Sequence, residues 1–149
     1  MKGNVPKILV TGAAGYIGRH VVKEFLDAGY YVIANDFGFK GVDNRAEYSH
    51  VSIFDKNIDL YKALGSPDIL VHLAWRDGFI HNSKAHMEDL SNHFMFLTKM
   101  IEGGVQSISV MGSMHEIGYW EGEIKSDTPC NPLSLYGISK NALRQALLL

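Results

Sequence analysis

At 149 residues, with 46% hydrophobic residues and a formal net charge of −2, the chain has the length and balance of one globular domain. Such a domain buries roughly 70% of its unfolded surface, enough for a real core. The charge balance does not point to nucleic acid or an anionic membrane, no apolar run approaches the ~20 residues of a membrane span, and the single cysteine, Cys130, excludes an internal disulfide.

Residues 1–7 hold no apolar segment of the signal-peptide kind, which together with the lone cysteine predicts a cytoplasmic protein. Short apolar runs then alternate with longer amphipathic stretches. Residues 7–11 are short, β-branched and end at a glycine, which predicts a buried strand. Ile17, Val21, Val22, Phe25 and Leu26 recur at helical spacing across 15–28, and Gly29 stops that helix. A second strand is predicted over 31–34, a glycine-dotted loop over 36–48, a third strand over 50–54 and a short helix over 57–64 closed by Gly65. A fourth strand over 68–73 leads to a long helix over 84–102, with Phe94, Met95, Phe96, Leu97 and Met100 as its core positions. A fifth strand over 105–111, a polar loop over 112–134 and a last helix from 135 to 149 complete the pattern. Strands alternating with helices predict an α/β fold, a doubly wound parallel sheet of order 3-2-1-4-5. Its ligand crevice is expected at the carboxyl ends of strands one and four, where the winding reverses.

Gly12, Gly15 and Gly18 fall between the first strand and the first helix. A glycine at such a turn takes positive φ, a missing side chain lets backbone approach a pyrophosphate, and a third glycine lets the helix lie against the sheet. The helix N-terminus presents amides and partial positive charge to the anion. Asp36 follows the second strand, where a carboxylate accepts bonds from ribose hydroxyls and repels a 2′-phosphate. The expected cofactor is therefore NAD rather than NADP, with Arg45 in the same loop as a cation that softens that preference.

Tyr136 and Lys140, four apart, share one helix face. A free tyrosine is a poor base at neutral pH, and a neighbouring ammonium stabilises its phenolate. The pair can then exchange a proton with a substrate oxygen while hydride moves at nicotinamide. Ser113, after the fifth strand, can hold that oxygen in place. His81, His86 and His93 do not fall on one narrow face, so no metal site is expected. Trp75, Arg76, Asp77 and Phe79 follow the fourth strand, either as a substrate-contact loop or as plain surface.

Residues 11–18 (Thr-Gly-Ala-Ala-Gly-Tyr-Ile-Gly), Asp36, His72-Leu73-Ala74, Ser113 and Tyr136-Gly137-Ile138-Ser139-Lys140 stand in the order of a known pattern. The chain resembles the extended short-chain dehydrogenase/reductase superfamily, in particular its NAD-dependent epimerase/dehydratase family. The resemblance implies a Rossmann-type fold with NAD held by Gly12, Ala14, Gly15, Tyr16, Ile17, Gly18 and Asp36, by Ser52 and Ile53 near adenine, and by Leu73, Ala74 and Trp75 at the fourth strand. It makes Ser113, Tyr136 and Lys140 catalytic, with Tyr136 and Lys140 also touching the cofactor. It implies a nucleotide-diphosphate sugar as substrate and a homodimer formed through the helix of Tyr136 and Lys140.

The chain departs from the family pattern in four places. Ser52 stands where an acid usually meets the adenine amino group, with Asp55 three residues on and the Ile53 backbone as a remaining contact. Trp75 replaces the second alanine of the fourth-strand motif, and Ile117 stands where a tyrosine is common. Met114 and His115 follow Ser113, with Glu116 one place beyond, instead of an acid pair beside it, which favours redox or epimerisation over dehydration. Family members run well past Leu149, so a Rossmann-type domain truncated after the Tyr/Lys helix is expected, 1–149 being the NAD-binding domain without a C-terminal substrate domain. Either the chain is a shortened piece or a second chain covers the gap. Three functions follow: a nucleotide-sugar oxidoreductase or epimerase, an NAD-binding fragment without turnover, or an NAD(P)-sensing regulator.

Overall fold

Ile8, Leu9, Val10 and Thr11 are each at most 1% exposed, as a strand covered on both faces requires. The computed structural model, which describes residues 5–149, makes them part of β1 (Lys7–Thr11) at the middle of a parallel sheet. The reading of residues 1–4 lies outside the described residues. β2 (Tyr31–Asn35) and β4 (Ile69–His72) flank β1, β3 (Glu47–Ser49) lies beyond β2, and β5 (Ser107–Val110) lies beyond β4. The order is β3-β2-β1-β4-β5, the doubly wound order expected from the alternation. Among the described residues no helix is long and apolar enough to cross a membrane.

The third strand is not where the apolar run at 50–54 put it. It starts three residues earlier, with Ile33 opposite Glu47 and Asn35 opposite Ser49. Past that point the Asn35 side chain takes over, its Nδ2 donating to the carbonyls of Ser49 (3.1 Å) and Val51 (2.8 Å). The chain then turns at Ser52, whose carbonyl accepts from Asp55 N and whose hydroxyl accepts from Phe54 N. A turn of this kind removes the backbone groups a strand over 50–54 would have needed.

The described chain divides into two compact units. The first, residues 5–74 and 96–111, holds the sheet, α1 (Tyr16–Asp27), α2 (Leu60–Ala63) and the C-terminal part of α3 (Ala85–Gly103). Alternation along the strands sends Ile8, Val10, Val32 and Ala34 to one face, where Val22 is buried and Val21, Phe25 and Leu26 of α1 pack. Leu9, Ile33 and Leu70 fall on the other strand face, and Leu64, Phe96, Leu97 and Met100 are as fully buried. Each such side chain contributes roughly 1.5–3 kcal/mol by burial. α2 begins later than its apolar pattern suggests, because the Asp59 carboxylate caps it by accepting from Lys62 N at 3.2 Å.

The second unit, residues 75–95 and 112–149, holds the N-terminal part of α3, a 3-10 turn (Met114–Glu116) and α4 (Leu135–Leu147). α3 buries His86, His93, Phe96, Leu97 and Met100, a helical stripe. Phe94 and Met95 fall off that stripe and are 38% and 49% exposed, so they are not the core positions expected.

Candidate functional site

The glycine loop is a cradle that side chains would fill. Gly12 has φ +69°, and a Cβ there would stand 2.7 Å from Ala74 N, at the end of β4. Gly15 is the N-cap of α1 and has no side chain to occupy the helix mouth, and no acid lies in the first turn. The opening amides of such a helix have no intrahelical acceptor, so the mouth suits an anion. Tyr16 and Ile17 are 74% and 47% exposed there, Tyr16 with its ring edge on His20. This fits the pyrophosphate of a dinucleotide.

Asp36 closes the same end of the sheet. Its Oδ2 accepts from Ala14 N at 2.9 Å and its Oδ1 from Phe37 N at 2.7 Å. Each oxygen keeps a lone pair for a ribose hydroxyl. Arg45 is committed elsewhere, to Asp27 (2.6 Å) and Asp43 (2.7 Å), and it holds the Asp43 carboxyl down at about 2. Its guanidinium is therefore engaged by carboxylates rather than offered to a 2′-phosphate. Ser52 and Ile53 lie in the turn that replaces the expected strand.

Beneath Gly12, the Thr11 hydroxyl lies 2.7 Å from His72 Nδ1 and accepts from Ala74 N at 3.4 Å, while Leu73 N donates to the Thr11 carbonyl at 3.2 Å. This buried bond ties the carboxyl ends of β1 and β4 together and sets where residues 73 and 74 run.

In the second unit Ser134 caps α4, accepting from Gly137 N at 3.1 Å, and Tyr136 N donates to the His81 carbonyl at 2.9 Å. Four rings surround the Tyr136 ring: His86 at 5.2 Å, His115 at 5.5 Å, His81 at 6.0 Å and Trp75 at 6.3 Å. One turn on, Lys140 is 4% exposed. Burial pushes its ammonium down to about 8, with Glu116 pulling the other way. Its Nζ stands 4.0 Å from the centroid of the Trp75 ring. Trp75 Nε1 donates to His86 Nδ1 at 3.0 Å, and His93 stacks on the same indole at 4.3 Å. Burial, helped by the charge of Lys140, pushes the His93 imidazole down to about 3.

Ser113 begins the 3-10 turn. Its N–H donates to Glu116 Oε1 at 2.7 Å and its hydroxyl accepts from His115 N at 3.2 Å, leaving the hydroxyl proton to give. Glu116 is buried, and Arg144 of α4 donates to its other oxygen at 3.1 Å. Both oxygens are thus spent on structure, and Glu116 is a pin rather than an acid. Gly137 completes the fit, because a Cβ there would lie 2.2 Å from the His115 carbonyl. An open cleft of about 400 Å³ lies beside this cluster, lined by His81, Asn82, Met114, His115 and Leu133. Arg76 pairs with Asp89 at 2.9 Å, while Phe79 is fully exposed. Among the described residues no three His, Cys, Asp or Glu side chains are grouped to hold a metal ion. The seat of Lys140 on Trp75 and the pin of Glu116 on Arg144 carry no spacing signal that marks them in the sequence.

The family model described as NAD dependent epimerase/dehydratase family matches residues 8–148. A dTDP-6-deoxy-L-talose 4-dehydrogenase (NAD(+)) of Aggregatibacter actinomycetemcomitans is 46% identical over 147 residues, which are 94% of this chain and 53% of that protein. The crystal structure of a UDP-glucose 4-epimerase from Thermotoga maritima with UDP-glucose superposes with a TM-score of 0.82 at 26% identity, over 95% of this chain and 50% of that one. A UDP-glucuronic acid 4-epimerase from Bacillus cereus, solved with UDP-glucuronic acid and NAD, gives a TM-score of 0.75 at 26% identity, over 94% and 50%. The chain spans about half the length of the curated relatives it matches.

Proposed function

Because the chain belongs to the NAD-dependent epimerase/dehydratase family, we propose that it serves NAD-dependent oxidation or reduction at a hydroxyl-bearing carbon of a nucleotide-diphosphate sugar, with Tyr136 moving the proton. Residues 1–149 act in this reading as one cofactor-binding domain. Gly12, Ala14, Gly15, Tyr16, Ile17 and Gly18 hold the pyrophosphate, Asp36 the adenosine ribose, Ser52 and Ile53 the adenine, and Leu73, Ala74 and Trp75 the nicotinamide side. When bound, NAD supplies the acceptor or donor of hydride. Tyr136, as phenolate, takes the proton of the sugar hydroxyl, or as phenol returns it to the carbonyl oxygen. The Lys140 ammonium stabilises the phenolate, and Ser113 donates a hydrogen bond to the same sugar oxygen.

The observation that carries this reading is Lys140, buried one helical turn from Tyr136. A lysine is almost never fully buried unless its charge has a partner, and the phenolate of Tyr136 is the partner this reading gives it. The 46% identical relative favours a dTDP-linked 6-deoxyhexose and C-4 as the carbon. The half-length match favours a second reading, binding of NAD without turnover. A cytoplasmic location belongs to the proposal, supported by the free thiol of Cys130. So does self-association through α4, supported by Ile138, 41% exposed on that helix, and checked by sedimentation.

Calorimetry with NAD, followed by NADH absorbance with a panel of dTDP- and UDP-hexoses, tests the reading. Sugar-dependent NADH formation that Tyr136→Phe lowers by at least about 100-fold is the expected result. Binding without turnover selects the second reading, and no binding of NAD overturns both.

A further inference from the structure

Trp75 is fixed on more than one side. Its Nε1 donates to His86 Nδ1 at 3.0 Å, and because indole nitrogen only donates, His86 Nδ1 carries no proton. The proton of His86 sits on Nε2, 3.0 Å from the Ile80 carbonyl, which anchors the imidazole in turn. His93 stacks on the indole within 9° of parallel. The ring so held lies 4.0 Å from Lys140 Nζ.

We infer that Trp75 is a positioning residue for Lys140: its indole face seats the buried ammonium and keeps it charged where Tyr136 needs it. A cation taken out of water gains more from a ring quadrupole than an exposed one, and indole is the strongest of the aromatic faces. An aromatic seat also takes no proton, so it supports the charge without neutralising it. Four charged or titratable groups lie near Lys140. Glu116 attracts it from the 3-10 turn but is shared with Arg144, His93 on α3 is kept uncharged by burial, His86 is the neutral tautomer, and Tyr136 is the partner on its own helix.

The inference rests on reading Lys140 as the lysine that assists Tyr136, yet its test passes through neither NAD nor sugar. Lysine labelled with 13C at Cε is titrated by NMR in the whole chain, with the Lys140 signal assigned from Lys140→Arg. The wild-type signal is expected to titrate near pH 8, below the free-lysine value, because of burial. Trp75→Leu, which keeps water out but removes the ring, lowers that midpoint by about half to one pH unit, while Trp75→Phe keeps most of it. If Trp75→Leu does not fold, Trp75→Met is read in the same way. A midpoint that stays or rises when the ring is removed overturns the inference. Loss of turnover alone, with the shift observed, counts against the proposed reaction and leaves the seat standing.

Discussion

The carbonyl oxygen of Gly12 occupies the place where a Cβ on Gly18 would have to sit, with only 2.1 Å between them. Ala13 backbone crowds the same point at 2.8 Å, so no flexible side chain can give way. Gly18→Ala must push α1 off the loop. It is expected to cost about 1–3 kcal/mol of stability, as overpacking does, and to weaken NAD at least tenfold by moving the helix mouth. Gly38→Ala, with open space around its Cβ, is the control and should hold stability within about 0.5 kcal/mol. Thermal melts and calorimetry on the two variants separate a steric cause from a general sensitivity of the loops.

Asp36 braces Ala14 N and is proposed to hold the adenosine ribose. Asn at this position keeps one carbonyl oxygen for Ala14 but loses the charge. Asp36→Asn is expected to weaken NAD about tenfold, near 1.4 kcal/mol, while NADP gains as repulsion of its 2′-phosphate disappears. The ratio of the two dissociation constants is the measurement. A preference for NAD that survives unchanged removes Asp36 from the ribose.

The tight glycine turn, the place of Asp36 after β2 and the shared helix face of Tyr136 and Lys140 are legible because each is a local pattern: a strand, a turn only glycine accepts, a helix, and a four-residue spacing. The sheet order followed from alternation alone. The third strand was not legible, because Val51, Ile53 and Phe54 look like a strand while the pairing is decided by the Asn35 amide, far away in sequence. Phe94 and Met95 misled for a related reason. Polar His86 and His93 occupy the buried stripe of α3, and an apolar pattern cannot show that. The Trp75 seat of Lys140 joins residues far apart in the chain and has no periodicity to betray it.

The pin between Glu116 and Arg144 predicts an uncoupling of chemistry from cofactor binding. Glu116→Ala strands Ser113 N and releases α4 from the 3-10 turn. The unpaired donor costs about 1–3 kcal/mol. Arg144 is 43% exposed, so its freed guanidinium returns to water and adds little. Denaturant titration should show this loss, with NAD affinity changed less than twofold and any sugar turnover reduced through Ser113. An equal loss of NAD affinity would show that the 3-10 turn supports the cofactor directly.

His93 makes the fold sensitive to acid in a defined window. Its folded-state value lies at about 3 against 6.5 for a free imidazole, because burial disfavours the charged form. Below 6.5 the unfolded chain binds a proton that the folded chain refuses, so stability falls as pH drops from 6.5 toward 3 and is fully present above 6.5. The slope approaches about 1.4 kcal/mol per pH unit within that window, for a total on the order of several kcal/mol. His93→Phe keeps an aromatic ring against Trp75 and removes the titrating group, so its stability should fall less steeply over the same range. Urea unfolding of both proteins from neutral pH downward checks this. Parallel curves would mean that His93 is protonated in the folded chain, and the stack on Trp75 would then carry a charge beside Lys140 that burial is expected to forbid.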